Sequence, residues 1–303
     1  MHVPTGYSLP IAVPLRTFFV ENEYRFLSSQ SDPRLTHTVT TRIPMELSSQ
    51  DLADLKQAKR LLEKPGLTEK LINVFGMPIE QTFALLPAKW SEGIQSATRL
   101  ALATVLRVAV STMKESDHGK SSNLSHELAV AVSGATSGAF GFLALPFELP
   151  VSTIIMFRSI ADIARSEGEY VKDPAVKLAC MEVFALGGRA LRGYASETGY
   201  FVIRTALASA TAEAAEYIAA KGFAQEGAPV IVRFITQIAS RFGITVSEKI
   251  VAQAIPVIGA VGGALINTMF IEHFQTVARG HFIIRRLERS YDPELIKMRY
   301  MEN

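Results

Sequence analysis

The chain has 303 residues, with 31 basic and 29 acidic side chains, so the near-balanced charge gives no electrostatic reason for a nucleic-acid partner. Apolar residues make up 48%, charged residues only 20%, and the mean hydropathy is +0.20. Either the interior is large or part of the surface meets lipid or another chain.

Residues 1–49 carry five prolines, many Ser and Thr, and short β-prone pieces such as THTVTTRIP, which predicts an irregular arm. The opening MHVPTGYSLPIAVPLRTFF lacks a basic n-region, and its prolines interrupt the apolar run. The expectation is therefore a chain made and kept on the cytoplasmic side. Helical patterning begins at Ser49: Leu52, Leu55, Ala58, Leu61 and Leu62 fall at helical spacing, and Pro65-Gly66 stop the run. A short helix over 67–75 ends at Gly76, another starts near Pro78, and a long one covers 91–114. The polar stretch ESDHGKSSNLS, 115–125, reads as a loop and a domain boundary. Three parts follow: an arm at 1–49, an N-terminal helical part at 50–120 and a helical body at 121–303.

In the body, helices are expected near 125–144, 150–167, 173–187, 197–221, 229–241, 245–254 and 256–289, with a tail helix after Pro293. Pro146, Pro150, Gly168, Asp173-Pro174, Gly187-Gly188, Gly227 and Gly243 mark the connections. The fold class is all-α, a multi-helix bundle. The lone Cys180 sits in the apolar string LACMEVF; it cannot close an internal disulfide and reads as a buried structural thiol in a reducing compartment.

Two segments, 128–147 and 250–271, are uncharged over about the length of a membrane span. Ala131, Gly134, Gly138 and Gly141 fall on one helix stripe of the first, and Gly259 and Gly263 form a GxxxG pair in the second. A glycine inside a helix costs up to about 1 kcal/mol relative to alanine, and close helix–helix contact offsets that cost. These glycines therefore predict a seam between the two segments. Two environments remain open for it, a soluble bundle core or helices that enter a bilayer.

The strings ALPFELPVSTIIMFRSIADIARSEGE (144–169), DPAVKLACMEVFALGG (173–188), ETGYFVIR (197–204), PVIGAVGGALIN (256–267) and HFQTVARGHFIIRRLER (273–289) resemble the EcsC protein family of bacteria. The resemblance runs over roughly residues 85–300 and leaves the N-terminal arm outside. It implies a helical protein that is cytoplasmic or associated with the inner membrane, peripheral or integral. The family takes its name from a gene neighbouring an ABC-transporter pair, so a transporter is among the partners it implies. It implies no reaction, no catalytic residue and no cofactor.

Candidate chemistry is sparse. Arg158, Asp162, Arg165 and Glu169 share one helix face, with pairs expected at Arg158–Asp162 and Arg165–Glu169. The face is either solvated or lines a polar cavity. Glu148 stands between two prolines, where it is exposed at a turn, paired or held at a raised pKa. His273 and His281 lie eight residues apart, not at the i, i+4 spacing of a metal pair, and HELAV at 126–130 lacks the second histidine of HExxH. Glu148, Asp162, Glu182, Glu272, His273 and His281 form the pool for a metal site built across helices, though a core histidine bonded to Asp or Glu is the plainer reading of either imidazole.

The basic run Arg279, Arg285, Arg286 and Arg289 fits anionic lipid headgroups or an acidic partner face, or else ion pairs with Glu288. Three functional readings follow: a membrane-associated accessory protein of the cytoplasmic face; a hydrolase or metal-dependent enzyme with a polar pocket of Arg158, Asp162, Glu182 and His273; and a pore-like oligomer of the glycine-rich hairpins.

Overall fold

A computed structural model describes residues 46–75, 88–111, 145–188, 196–222, 227–253 and 259–302. All of them lie in one compact unit, Ile43–Asn303. Among the described residues there are nine α-helices and no strand: α1 Ser49–Leu62, α2 Leu67–Phe75, α3 Ala88–Ser111, α4 Leu145–Ser166, α5 Pro174–Leu186, α6 Ser196–Lys221, α7 Pro229–Gln253, α8 Gly259–Ser290 and α9 Pro293–Glu302. The all-α architecture is the one the periodicity predicts. The arm before residue 46, the 115–125 loop and the helix expected at 125–144 fall outside the described residues.

Local chemistry sets the helix ends. Ser48 caps α1, its hydroxyl accepting from the Asp51 amide at 3.1 Å. Asp173 caps α5, accepting from the Ala175 amide at 2.8 Å, with Pro174 at the first helical position, where no N–H is needed. Two expected interruptions do not occur. Helix α4 begins at Leu145, so Pro146 sits in its first turn and Pro150 lies inside it. Pro146 falls among the first four amides, which have no intrahelical partner, and Pro150 one turn on costs the single bond its amide would have given the Pro146 carbonyl. Helix α7 runs unbroken through Gly243. A Cβ at Gly243 would lie 2.7 Å from Gln95 Nε2, so this glycine lets α3 approach rather than ending the helix.

Helix α5 is the centre: Val176 through Leu186 are all buried, and it packs on α3, α4, α6, α7 and α8. A helix buried all round needs no apolar stripe, which explains its weak periodicity. Phe184, Phe242, Phe270 and Phe274 meet beside it with ring centroids 4.9–6.2 Å apart. Lys177, in the first turn of α5, donates to the Ala109 carbonyl near the C-terminus of α3.

Helix α1 lies against α8, and Gly280 makes that contact close. A Cβ there would lie 2.6 Å from Leu62 Cγ and 3.1 Å from the Ala58 carbonyl oxygen. Gly280→Val is therefore expected to lower stability by about 1–3 kcal/mol through overpacking, read as the midpoint of urea unfolding. An unchanged midpoint would mean that α1 yields freely. The seam expected from Gly134, Gly138 and Gly141 falls outside the described residues. The backbone of Gly259 and Gly263 belongs to α8, but the surroundings of that first turn are not described.

Candidate functional site

Helices α5, α6 and α8 enclose a buried polar network. Tyr200, Arg204 and Thr211 fall at i, i+4 and i+11 of α6, on one face. Arg204 holds Glu288 of α8 through two bonds, Nη1 to Oε1 at 2.7 Å and Nη2 to Oε2 at 2.9 Å. The Tyr200 hydroxyl and His281 Nδ1 are 2.9 Å apart, with both residues buried. Thr211 donates to Glu182 of α5. Burial raises the Glu182 carboxyl, opposed by Thr211 and the charges of Arg204 and Arg285. Burial also drives His281 well below the usual imidazole value, with Arg204 and Arg285 acting in the same direction. His281 Nε2 has no hydrogen-bond partner among the described residues.

A second network closes the C-terminal end of α8. Glu169 takes Arg285 at 2.8 Å and also Arg289. Arg286 bridges Glu167 and Asp54, each at 2.8 Å, and so fastens α1 to the α4–α5 turn. Arg279 is exposed. Three of the four residues in the basic run are thus engaged within the fold. The pairings differ from those the spacing favours: Glu288 takes Arg204 rather than its own run, and Arg165 takes Asp162 at 2.8 Å while Glu169 goes to α8.

The four residues of the expected polar pocket do not converge. Arg158 and Asp162 are exposed. Glu182 faces Thr211, and His273 Nε2 bonds the Gly187 carbonyl at 2.8 Å. Both histidines are core groups, as the plainer reading had it, but their partners are a carbonyl and a tyrosine instead of carboxylates. Glu148 pairs with the buried Lys249 at 2.9 Å, and Glu272 is exposed. Among the described residues no three His, Cys, Asp or Glu side chains gather as a metal site. Cys180 is buried, which pushes its thiol up to about 12.

The outward face of α4 is the other distinctive surface. Phe147, Val151, Ile155, Arg158, Asp162 and Arg165 lie within one stripe. Phe147 is 79% exposed and Ile155 38%, and the three charged residues are exposed. The stripe is apolar over its first half and charged over its second. Gln275 of α8 bonds Ser159 of α4, and Arg285, farther along α8, bonds Glu169 just past the C-terminal end of α4, so the two helices run parallel. Leu265, 42% exposed near the start of α8, therefore shares one end of the bundle with Phe147. The stripe is not legible in the sequence, because only burial separates exposed Ile155 from buried Ile154, Met156 and Phe157.

Among the described residues one helix, α7, has the length and composition to cross a membrane. It carries Arg233, Arg241, Glu248 and Lys249, and half of its most apolar window is buried in the bundle.

The family model described as the EcsC protein family matches residues 49–287. The chain belongs to the EcsC protein family. The match opens on the first residue of α1 and closes inside α8, so the EcsC body includes α1 and α2, which the resemblance over 85–300 left out. Both networks draw on this body, though Glu288 and Arg289 lie just past its end. No curated protein and no solved structure matches the chain.

Proposed function

We propose that this EcsC-family chain is a membrane-associated accessory protein of the cytoplasmic face that docks on the bilayer through one end of its bundle. The stripe on α4 carries the reading. Phe147 at its tip leaves most of an aromatic ring in water, and Val151 and Ile155 continue the apolar surface up to Arg158. An aromatic and aliphatic tip followed by charge on one helix face suits insertion at an interface. Leu265 enlarges the same end. The two polar networks support the reading from the other side: their charged groups bind one another and so hold the helices, leaving the exposed end as the surface for a partner.

Co-sedimentation of the full chain with phospholipid vesicles tests this. Wild type is expected in the pellet, and Phe147→Ser combined with Ile155→Ser is expected to shift it to the supernatant while leaving the melting curve near wild type. An alkaline carbonate wash should release the bound protein, as befits a peripheral contact. Wild-type protein remaining wholly in the supernatant would refute the docking role.

A further inference from the structure

We infer that Arg158 is an anionic-headgroup contact that gives α4 a preference for negatively charged lipid and sets its depth of entry. This rests on the membrane reading above and adds the lipid class. Phe147 and Arg158 are eleven residues apart on one stripe, which is about 16 Å at the rise of an α-helix. An interfacial helix face sinks its apolar side chains about 5–10 Å below the headgroups. A tilted stripe with Phe147 at that depth therefore brings its other end, Arg158, to the phosphate level. Arg158 is also available there. Asp162, one turn on, is held by Arg165 at 2.8 Å, and no ion pair to Arg158 forms among the described residues. On the neighbouring α8, the exposed carboxylate of Glu272 feels Lys70 of α2. A guanidinium at this boundary, with a free fork of donors, matches a phosphodiester or a headgroup carboxylate.

The test compares the full chain on vesicles of phosphatidylcholine alone and on vesicles doped with phosphatidylglycerol. Wild type is expected to bind the anionic vesicles at least about fivefold more tightly, with the preference lost as salt rises. Arg158→Gln is expected to remove that preference while retaining binding to neutral vesicles through Phe147 and Ile155. Arg158 is exposed, so its substitution should leave the fold intact, which a melting curve checks. Arg279→Gln serves as the comparison and should keep the preference. Neutral binding without an anionic preference, or equal losses in the two variants, would overturn the role of Arg158 and leave the docking reading standing. Failure to bind either vesicle, with a concentration-dependent dimer seen by light scattering, would overturn both and assign the stripe to a second copy of the chain.

Discussion

Arg204→Ala is expected to destabilise the fold by about 3–5 kcal/mol, the range for removing one partner of a buried ion pair. The Arg204 and Glu288 side chains are only 22% and 14% exposed and share two charge-assisted bonds. Taking away the guanidinium leaves the Glu288 carboxylate largely desolvated and without its counter-charge. Arg204 also lies 5.4 Å from the centre of the Tyr200 ring, so its loss loosens the partner of His281 as well. Urea unfolding of the single variant measures the loss. The pair Arg204→Met with Glu288→Leu is expected to recover most of it, because two apolar side chains leave no charge unpaired. A double-mutant cycle then isolates the coupling. If Arg204→Ala stays within about 0.5 kcal/mol of wild type, the value for a surface change, the network does not hold α6 to α8.

The choice of partners in that network shows where sequence reading stops. Helix ends were legible because their chemistry is local: Asp173-Pro174 starts α5, and Pro65-Gly66 follows α1. Charge pairs were read by the same local logic, so Arg165 was expected with Glu169, and Glu288 with the arginines of its own helix. Tertiary burial decided otherwise. Arg204 and Glu288 are separated by 84 positions and Glu169 and Arg285 by 116, and no periodicity links such distances. A carboxylate that must lose water goes to the cation that loses water with it, even when an exposed neighbour stands one turn away.

Glycine shows the same limit. The inference that an intrahelical glycine marks close approach holds at Gly280 and Gly243, where an added Cβ would meet α1 and α3. Yet Gly243, expected at a connection, lies inside α7, and no pattern marks Gly280 between Arg279 and His281. A lone glycine gives one signal for two situations, and the facing element decides between them. On α4 it is likewise burial that turns an apolar run into an amphipathic face, by singling out Ile155 from its neighbours.

Acidification is expected to weaken the fold steeply between about pH 6.5 and pH 4. The cause is the pair of core histidines, His273 and His281. Burial lowers His273 to about 4 in spite of its bond to the Gly187 carbonyl, with Lys70 acting in the same sense as burial. His281 is also held well below the usual imidazole value by burial and by the charges of Arg204 and Arg285. In the unfolded chain both titrate near about 6.5. Below that value the unfolded state holds more protons than the native state, so stability falls as pH falls, by about 1.4 kcal/mol per pH unit for each imidazole. For His273 alone the sum down to about pH 4 is about 3 kcal/mol. Glu182 works the other way. Its raised carboxyl keeps a proton in the fold where the unfolded chain has lost one, so acid favours its native form. Two imidazoles outweigh one carboxyl, and the net slope keeps the sign of the histidines. His273→Gln, whose amide can still donate to the Gly187 carbonyl, should flatten the plot of unfolding free energy against pH by one proton's worth. Glu182→Gln should steepen it. Parallel plots for wild type and His273→Gln would show that His273 takes up its proton in the folded protein as readily as in the unfolded one.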